Sequence, residues 1–228
     1  MEIIPAIIPK SFADLEDKLG SLAKRASLAQ IDVLDGSLTS PSAWPYQSAS
    51  KPDRTFEAIV KEDKGFPFWQ DIEFEAHFMV RGPERLAADW ISAGASRIIV
   101  QIEGTQHLGK VIEAVSGRVP IGVSLAVDTP SDAIKTFASD VEVIQCMGWK
   151  FSHLGKQGEP LDPAVFEKIR GLRRDFPEVI ISVDGGVTLE NFRDLAAAGA
   201  ERFVVGSAIW ESGNPREALA KFQESQES

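Results

Sequence analysis

Short apolar runs alternate with stretches of helical spacing along the whole chain. Residues 3–8 form the first run and stop at Pro9. Ser11 then stands where a helix cap is needed, ahead of Phe12, Leu15, Leu19 and Leu22 at three- and four-residue intervals. Further strand patterns fall at residues 28–34, 72–80, 97–102, 121–126, 141–147, 180–183 and 203–205. Helical patterns separate them, around 56–61, from Pro83 to Ala93-Gly94, over 108–115, from Thr129-Pro130, over 163–174 and over 188–198. A short helix is expected after Ser207, and residues 215–223 close the chain as a terminal helix. Two connections are longer. Residues 37–53 carry Trp44 and Tyr46 and read equally as a lid over a site or as a loop held by a buried aromatic anchor. Residues 148–160 are basic and punctuated by glycine.

Eight strand–helix units in 228 residues predict a parallel sheet closed into a (β/α)8 TIM barrel, one domain over residues 1–228. The competing doubly wound sheet would carry its glycine fingerprint after the first strand. The turn found there, Pro9-Lys10-Ser11, has no glycine.

The stretch from Ile180 to Trp210 is the most informative. Its two strands end in Asp184-Gly185-Gly186 and in Gly206-Ser207, and each is expected to lead into a helix start. Backbone N–H groups at such starts attract anions, and glycine lets a phosphate approach the main chain. In a (β/α)8 barrel the loops after the last two strands are the usual phosphate site. Gly185, Gly186, Gly206 and Ser207 are therefore the expected phosphate contacts.

A net charge of −10 argues against nucleic acid or an anionic membrane as partner, so an anionic ligand needs a local site. No apolar run is long enough to span a membrane, and the chain opens into a strand rather than a signal peptide. The single cysteine, Cys146, lies in an apolar run and reads as a buried, inert thiol. One cysteine forms no internal disulfide, which points to a cytoplasmic setting.

In a barrel, strand-end residues converge on one mouth. Asp32, His77 and Asp184 would meet there, with Glu103 and Lys150 nearby. Two carboxylates and an imidazole suit a divalent ion, and two carboxylates alone suit paired acid/base work. Helix caps and structurally satisfied histidines produce the same spacing, so both readings stand at this level. His107 reads as a surface residue at a helix start, and His153 lies in the 148–160 loop.

Several motifs resemble those of the ribulose-phosphate 3-epimerase family, among the ribulose-phosphate-binding barrels, over nearly the whole chain. They are Ile4-Pro5, Phe12-Ala13-Asp14-Leu15, Asp32-Val33-Leu34-Asp35-Gly36, His77-Phe78-Met79-Val80, Pro83-Glu84-Arg85, Ala93-Gly94-Ala95, Thr129-Pro130 and Met147. The closing set is Val183-Asp184-Gly185-Gly186-Val187, Ala198-Gly199-Ala200 and Val205-Gly206-Ser207-Ala208-Ile209. The resemblance implies an isomerase that epimerises a ketose phosphate of the ribulose 5-phosphate/xylulose 5-phosphate type, in pentose phosphate carbohydrate metabolism. It implies Asp32 and Asp184 as the acid/base pair on opposite faces of C3, with a metal-stabilised enediolate between the two proton transfers. It implies a divalent metal (Zn, Fe, Mn or Co) on Asp32, His77 and Asp184; at the family's fourth ligand position this chain carries Gln30, whose neutral carbonyl is a poorer partner for zinc or iron than imidazole. Met147 joins the glycine turns as a substrate contact, and a homo-oligomer is implied as well. Lys150, from its own position in the loop after strand six, reads either as a positive charge for the substrate or as a solvated loop lysine.

The departures gather at the mouth. Gln30 and Gln101 stand where the family carries histidines, and Ser37 replaces the histidine after Asp35-Gly36. The first strand reads Pro5-Ala6-Ile7-Ile8-Pro9 without the family's serines, and the glycine-rich loop after strand six has become Phe151-Ser152-His153-Leu154-Gly155-Lys156-Gln157. Leu34 stands in place of the lysine used by a related decarboxylase and aldolase branch, which argues against that chemistry. Two alternatives remain open: a catalytically lapsed phosphosugar-binding protein, and an isomerase with a different sugar-phosphate substrate.

Overall fold

A computed structural model describes residues 1–47 and 51–226. Part of the loop at 37–53 therefore lies outside the described residues. Eight strands run in the order β1 (Glu2–Ile7), β2 (Leu28–Val33), β3 (Glu73–Phe78), β4 (Arg97–Gln101), β5 (Ile121–Leu125), β6 (Val143–Met147), β7 (Ile180–Asp184) and β8 (Arg202–Val205), and close into a barrel. The expected (β/α)8 TIM barrel is the fold. Its contacts group into two compact units, Ala6–Ile121 and Met1–Pro5 with Gly122–Ser228. Among the described residues no helix is long and apolar enough to cross a membrane.

The 6–121 unit carries helices α1 (Phe12–Leu22), α2 (Arg54–Val60), α3 (Glu84–Ser92) and α4 (Leu108–Val115). Ser11 caps α1 by accepting from the Asp14 N–H at 3.1 Å, and the Asp14 carboxylate reaches back to the Lys10 N–H at 2.8 Å. Strands here are buried on both faces, but the faces differ in chemistry. Gln30 lies beside Glu75 and Asp32 beside His77 in the β2–β3 register, so four polar residues share one face. Phe74 and Phe78 point the other way, against Trp90 of α3. Trp44, Phe56 and Trp90 extend this aromatic layer, and the Trp90 indole N–H donates to the Tyr46 hydroxyl at 3.1 Å. Burial pushes the Tyr46 hydroxyl up to about 12. For its described residues, the loop after β2 is thus held by the aromatic anchor.

Glu75 is fully buried, with the Arg97 guanidinium 2.9 Å from its carboxylate. Removing one partner of a buried pair strands the other charge. Arg97→Ala is expected to cost about 3–5 kcal/mol in urea unfolding, with much of it recovered when Glu75→Leu is added.

The second unit carries α5 (Ala164–Asp175), α6 (Phe192–Ala198), α7 (Ser207–Trp210) and α8 (Pro215–Gln226). Phe192 packs edge-on against Phe203 of β8 and Phe222 of α8, fixing both helices on the sheet. Ser124, Gln145 and Ser182 are in register across β5, β6 and β7 and are fully buried. Two expected helices differ. The segment after Pro130 is a 3-10 helix over Ser131–Phe137 in which only Ile134 is buried, so no apolar stripe holds an α-helix against the sheet. And α6 starts at Phe192 rather than 188. The Asn191 side chain accepts from the Thr188 N–H at 2.9 Å and donates to the Gly186 carbonyl at 2.8 Å, which ties 186–191 into a turn.

Candidate active site

In the 6–121 unit, three strand ends build a chain of buried polar groups. The Gln30 amide donates from Nε2 to Asp32 Oδ1 at 2.8 Å and lies 3.5 Å from His77 Nδ1. His77 Nδ1 is in turn 3.5 Å from Asp32 Oδ1. On the other side of the ring, His77 Nε2 lies 3.0 Å from Gln101 Oε1, and Gln101 Nε2 donates to the Glu103 carboxylate at 2.6 Å. A carboxylate accepts only from the NH2 end of an amide, so Glu103 fixes which end of Gln101 faces the histidine. The end facing it is a carbonyl oxygen, so Nε2 carries the imidazole proton. In the neutral ring the lone pair is then on Nδ1, on the side of Asp32. This tautomer follows from the hydrogen-bond network, and it is the arrangement that presents a histidine to a metal. Gln30 presents its amide nitrogen, a donor, to both Asp32 and His77.

In the other unit, Asp184 ends β7 beside Met147 of β6. Gln145 Nε2 donates to Asp184 Oδ2 at 2.9 Å, and the Ser182 hydroxyl donates to Gln145 Oε1 at 3.4 Å. Ligand atoms from Asp32, His77 and Asp184 all lie within 4.8 Å of one another, and all three residues are buried. Donors about 2.1 Å from one ion are about 3–4 Å apart, and a group with this spacing could hold a divalent ion. The donor set, two carboxylates and an imidazole without sulfur, suits zinc, iron, manganese or cobalt.

The turns after β6 and β7 are in unusually close contact. Gly148 donates to the Asp184 carbonyl at 2.7 Å and accepts from Asp162 at 2.8 Å. A Cβ on Gly148 would sit 2.0 Å from the Gly185 carbonyl oxygen. Gly185 has φ 104 and its Cα is covered by the Trp149 ring, 2.9 Å from where a Cβ would be; Gly186 has φ 68 and faces the Leu161 backbone. Only glycine fits at these points. Gly206 precedes α7, whose first residue is Ser207, so only this second turn leads straight into a helix, one of four residues. Lys150 is exposed and Met147 buried. His107 is exposed, and His153 lies 3.8 Å from Glu159.

Gln145 is the site residue that the sequence reading passed over. Its signal was there, an amide inside the apolar run 143–147, but its partner lies 39 residues away on another strand.

The chain is similar to ribulose-phosphate 3-epimerase from Schizosaccharomyces pombe, at 27% identity over 98% of this chain and 93% of that protein. It is 28% identical to the Escherichia coli (strain K12) ribulose-phosphate 3-epimerase, over 95% and 92% of the two chains. Among solved structures, a crystal structure of 3-hexulose-6-phosphate synthase superposes with a TM-score of 0.70 at 18% identity, covering 99% of each chain, a likeness of fold. The model of the ribulose-phosphate 3 epimerase family matches residues 52–210, well over half of the sequence. The chain therefore belongs to the ribulose-phosphate 3 epimerase family, and with it among the isomerases.

Proposed function

We propose that this protein epimerises a pentulose 5-phosphate at C3, with Asp32 and Asp184 as the acid/base pair. The observation that carries the reading is the buried Asp32–His77–Asp184 group, its ligand atoms within 4.8 Å of one another. In the proposed reaction one carboxylate removes the C3 proton, and the other delivers a proton to the opposite face. Each therefore exchanges role with reaction direction. A divalent ion held by Asp32, His77 and Asp184 would supply positive charge for the oxyanion that forms when the proton leaves. The burial of both carboxylates keeps bulk water from competing for the proton. The backbone at Gly185-Gly186 and Gly206-Ser207 is proposed to hold the phosphate, with Met147 beside the sugar and Lys150 contributing charge from the loop after β6. The proposed protein acts as a single domain in a cytoplasmic setting.

The test is C3 deuterium exchange and epimer interconversion with ribulose 5-phosphate, in the presence of zinc, iron, manganese or cobalt. Interconversion supports the proposal. Phosphosugar binding with no exchange under any of these ions replaces it with a binding protein, and exchange only with other ketose phosphates changes the substrate.

The contact between the two turns gives a further expectation. Gly148→Ala forces the loop after β6 away from Gly185, and so disturbs the proposed phosphate contacts before the carboxylates. KM for the sugar phosphate is expected to rise by about tenfold or more, a loss of about 1.4 kcal/mol in binding, with a smaller change in kcat.

A further inference from the structure

We infer that Gln145 is a positioning residue for Asp184, an inference that rests on the acid/base reading of that aspartate. A side-chain amide inside a strand of Val143, Ile144, Cys146 and Met147 is costly to bury unless both ends are hydrogen-bonded. Both ends of Gln145 are: Nε2 donates to Asp184 Oδ2 at 2.9 Å and Oε1 accepts from the Ser182 hydroxyl at 3.4 Å. Gln145 and Ser182 are fully buried and adjacent in register, and the carboxylate at one end and the hydroxyl at the other fix which end of the amide faces Asp184. The carboxylate of Asp184 inherits that constraint. With Oδ2 held by a fixed donor, the plane of the carboxylate is set, and so is the direction in which Oδ1 presents its lone pairs. An amide is neutral at every working pH, so it steers the carboxylate without contributing a charge or a proton of its own.

The 6–121 unit uses the same device. Gln30 donates to Asp32 Oδ1 at 2.8 Å, and Gln101 holds the ring of His77 at 3.0 Å. Each member of the candidate metal group has a buried glutamine against it, all three on even-numbered strands. The glutamines at 30 and 101, which depart from the family pattern, thus belong to a supporting shell built of amides.

The experiment compares Gln145→Met, similar in length and without a donor, and Ser182→Ala, which frees the far end of the amide, with the parent protein. Apo protein is titrated with cobalt(II), followed by its visible absorption, and kcat and KM are measured on the loaded enzyme. Gln145→Met is expected to weaken cobalt binding and lower kcat by about 10–100-fold each, with altered cobalt bands and KM within about threefold. Ser182→Ala should fall between the two, and it stands alone if Gln145→Met does not fold. A merely structural role would lower the melting temperature and leave the cobalt spectrum unchanged. Cobalt affinity within about twofold of the parent, with the same bands in the variants that fold, overturns the inference. The titration does not need turnover: a parent protein that binds cobalt but epimerises nothing removes the proposed reaction, and the spectra still decide whether Gln145 orients Asp184.

Discussion

Asp184→Asn is expected to lower epimer interconversion by roughly 10²–10⁴-fold, the range for loss of a positioned acid/base group. The substitution is nearly isosteric, and Gln145 Nε2 can still donate to the oxygen of the new amide, so the strand end and its packing should survive. In the proposed reaction this removes the proton acceptor on one face of C3 and leaves Asp32 for the other, and this asymmetry makes the prediction specific. A single carboxylate can take a proton from one epimer, exchange it with solvent and return it to the same face. Asp184→Asn should therefore permit slow C3 deuterium incorporation into one epimer only, without conversion to the other. Asp32→Asn should show the mirror result with the other epimer. Proton NMR in deuterium oxide, started from each epimer in turn, measures both. Interconversion within about tenfold of the parent in either variant would remove that residue from the acid/base pair.

The parts of this molecule that were legible in the sequence are those encoded locally. Strand and helix follow from the spacing of apolar residues, because a parallel strand must be buried on both faces and a covering helix on one. The convergence of Asp32, His77 and Asp184 could be read because a barrel brings strand ends to one mouth, so topology supplied the long-range information. Hydrogen-bond partners had no such guide. The pairing of Gln145 with Asp184 depends on the β6–β7 register, and the orientation of Gln101 depends on Glu103, a contact that only the backbone path after β4 creates. The expected helix start after Gly185-Gly186 failed for a related reason. Asn191 ties residues 186–191 into a turn, and a side-chain bond of that kind competes with the helix without disturbing the apolar spacing. Gln30 shows both levels at once. Its position marked it as part of the site, yet the end of the amide it offers to Asp32 and His77 was set by three-dimensional contacts.

Stripping divalent metal with a chelator is expected to lower turnover by more than about a hundredfold, since charge stabilisation of a developing oxyanion is worth several kcal/mol. Zinc, iron, manganese or cobalt should restore it. Calcium should not, because it takes six to eight oxygen ligands in a looser shell than two carboxylates and an imidazole provide. Stability offers a second, independent measure. An ion that binds only the folded chain stabilises it by about 2.7 kcal/mol at a hundred times its Kd. For a chain of this size that raises the melting temperature by roughly 5–10 °C. The three residues should not respond alike to substitution. His77→Ala removes the one proposed ligand that is not a carboxylate, a ring held by Gln101 and Glu103, and it leaves both carboxylates in place. It should abolish most of the thermal shift at a fixed ion concentration while permitting partial rescue of turnover at higher concentration. Asp32→Ala removes a proposed ligand and a proposed acid/base group together, so added ion should recover neither turnover nor the full shift. If added metal moves neither the melting curve nor the rate in the unsubstituted protein, the buried Asp32–His77–Asp184 group is not a metal site, and the two carboxylates must then do their work unaided.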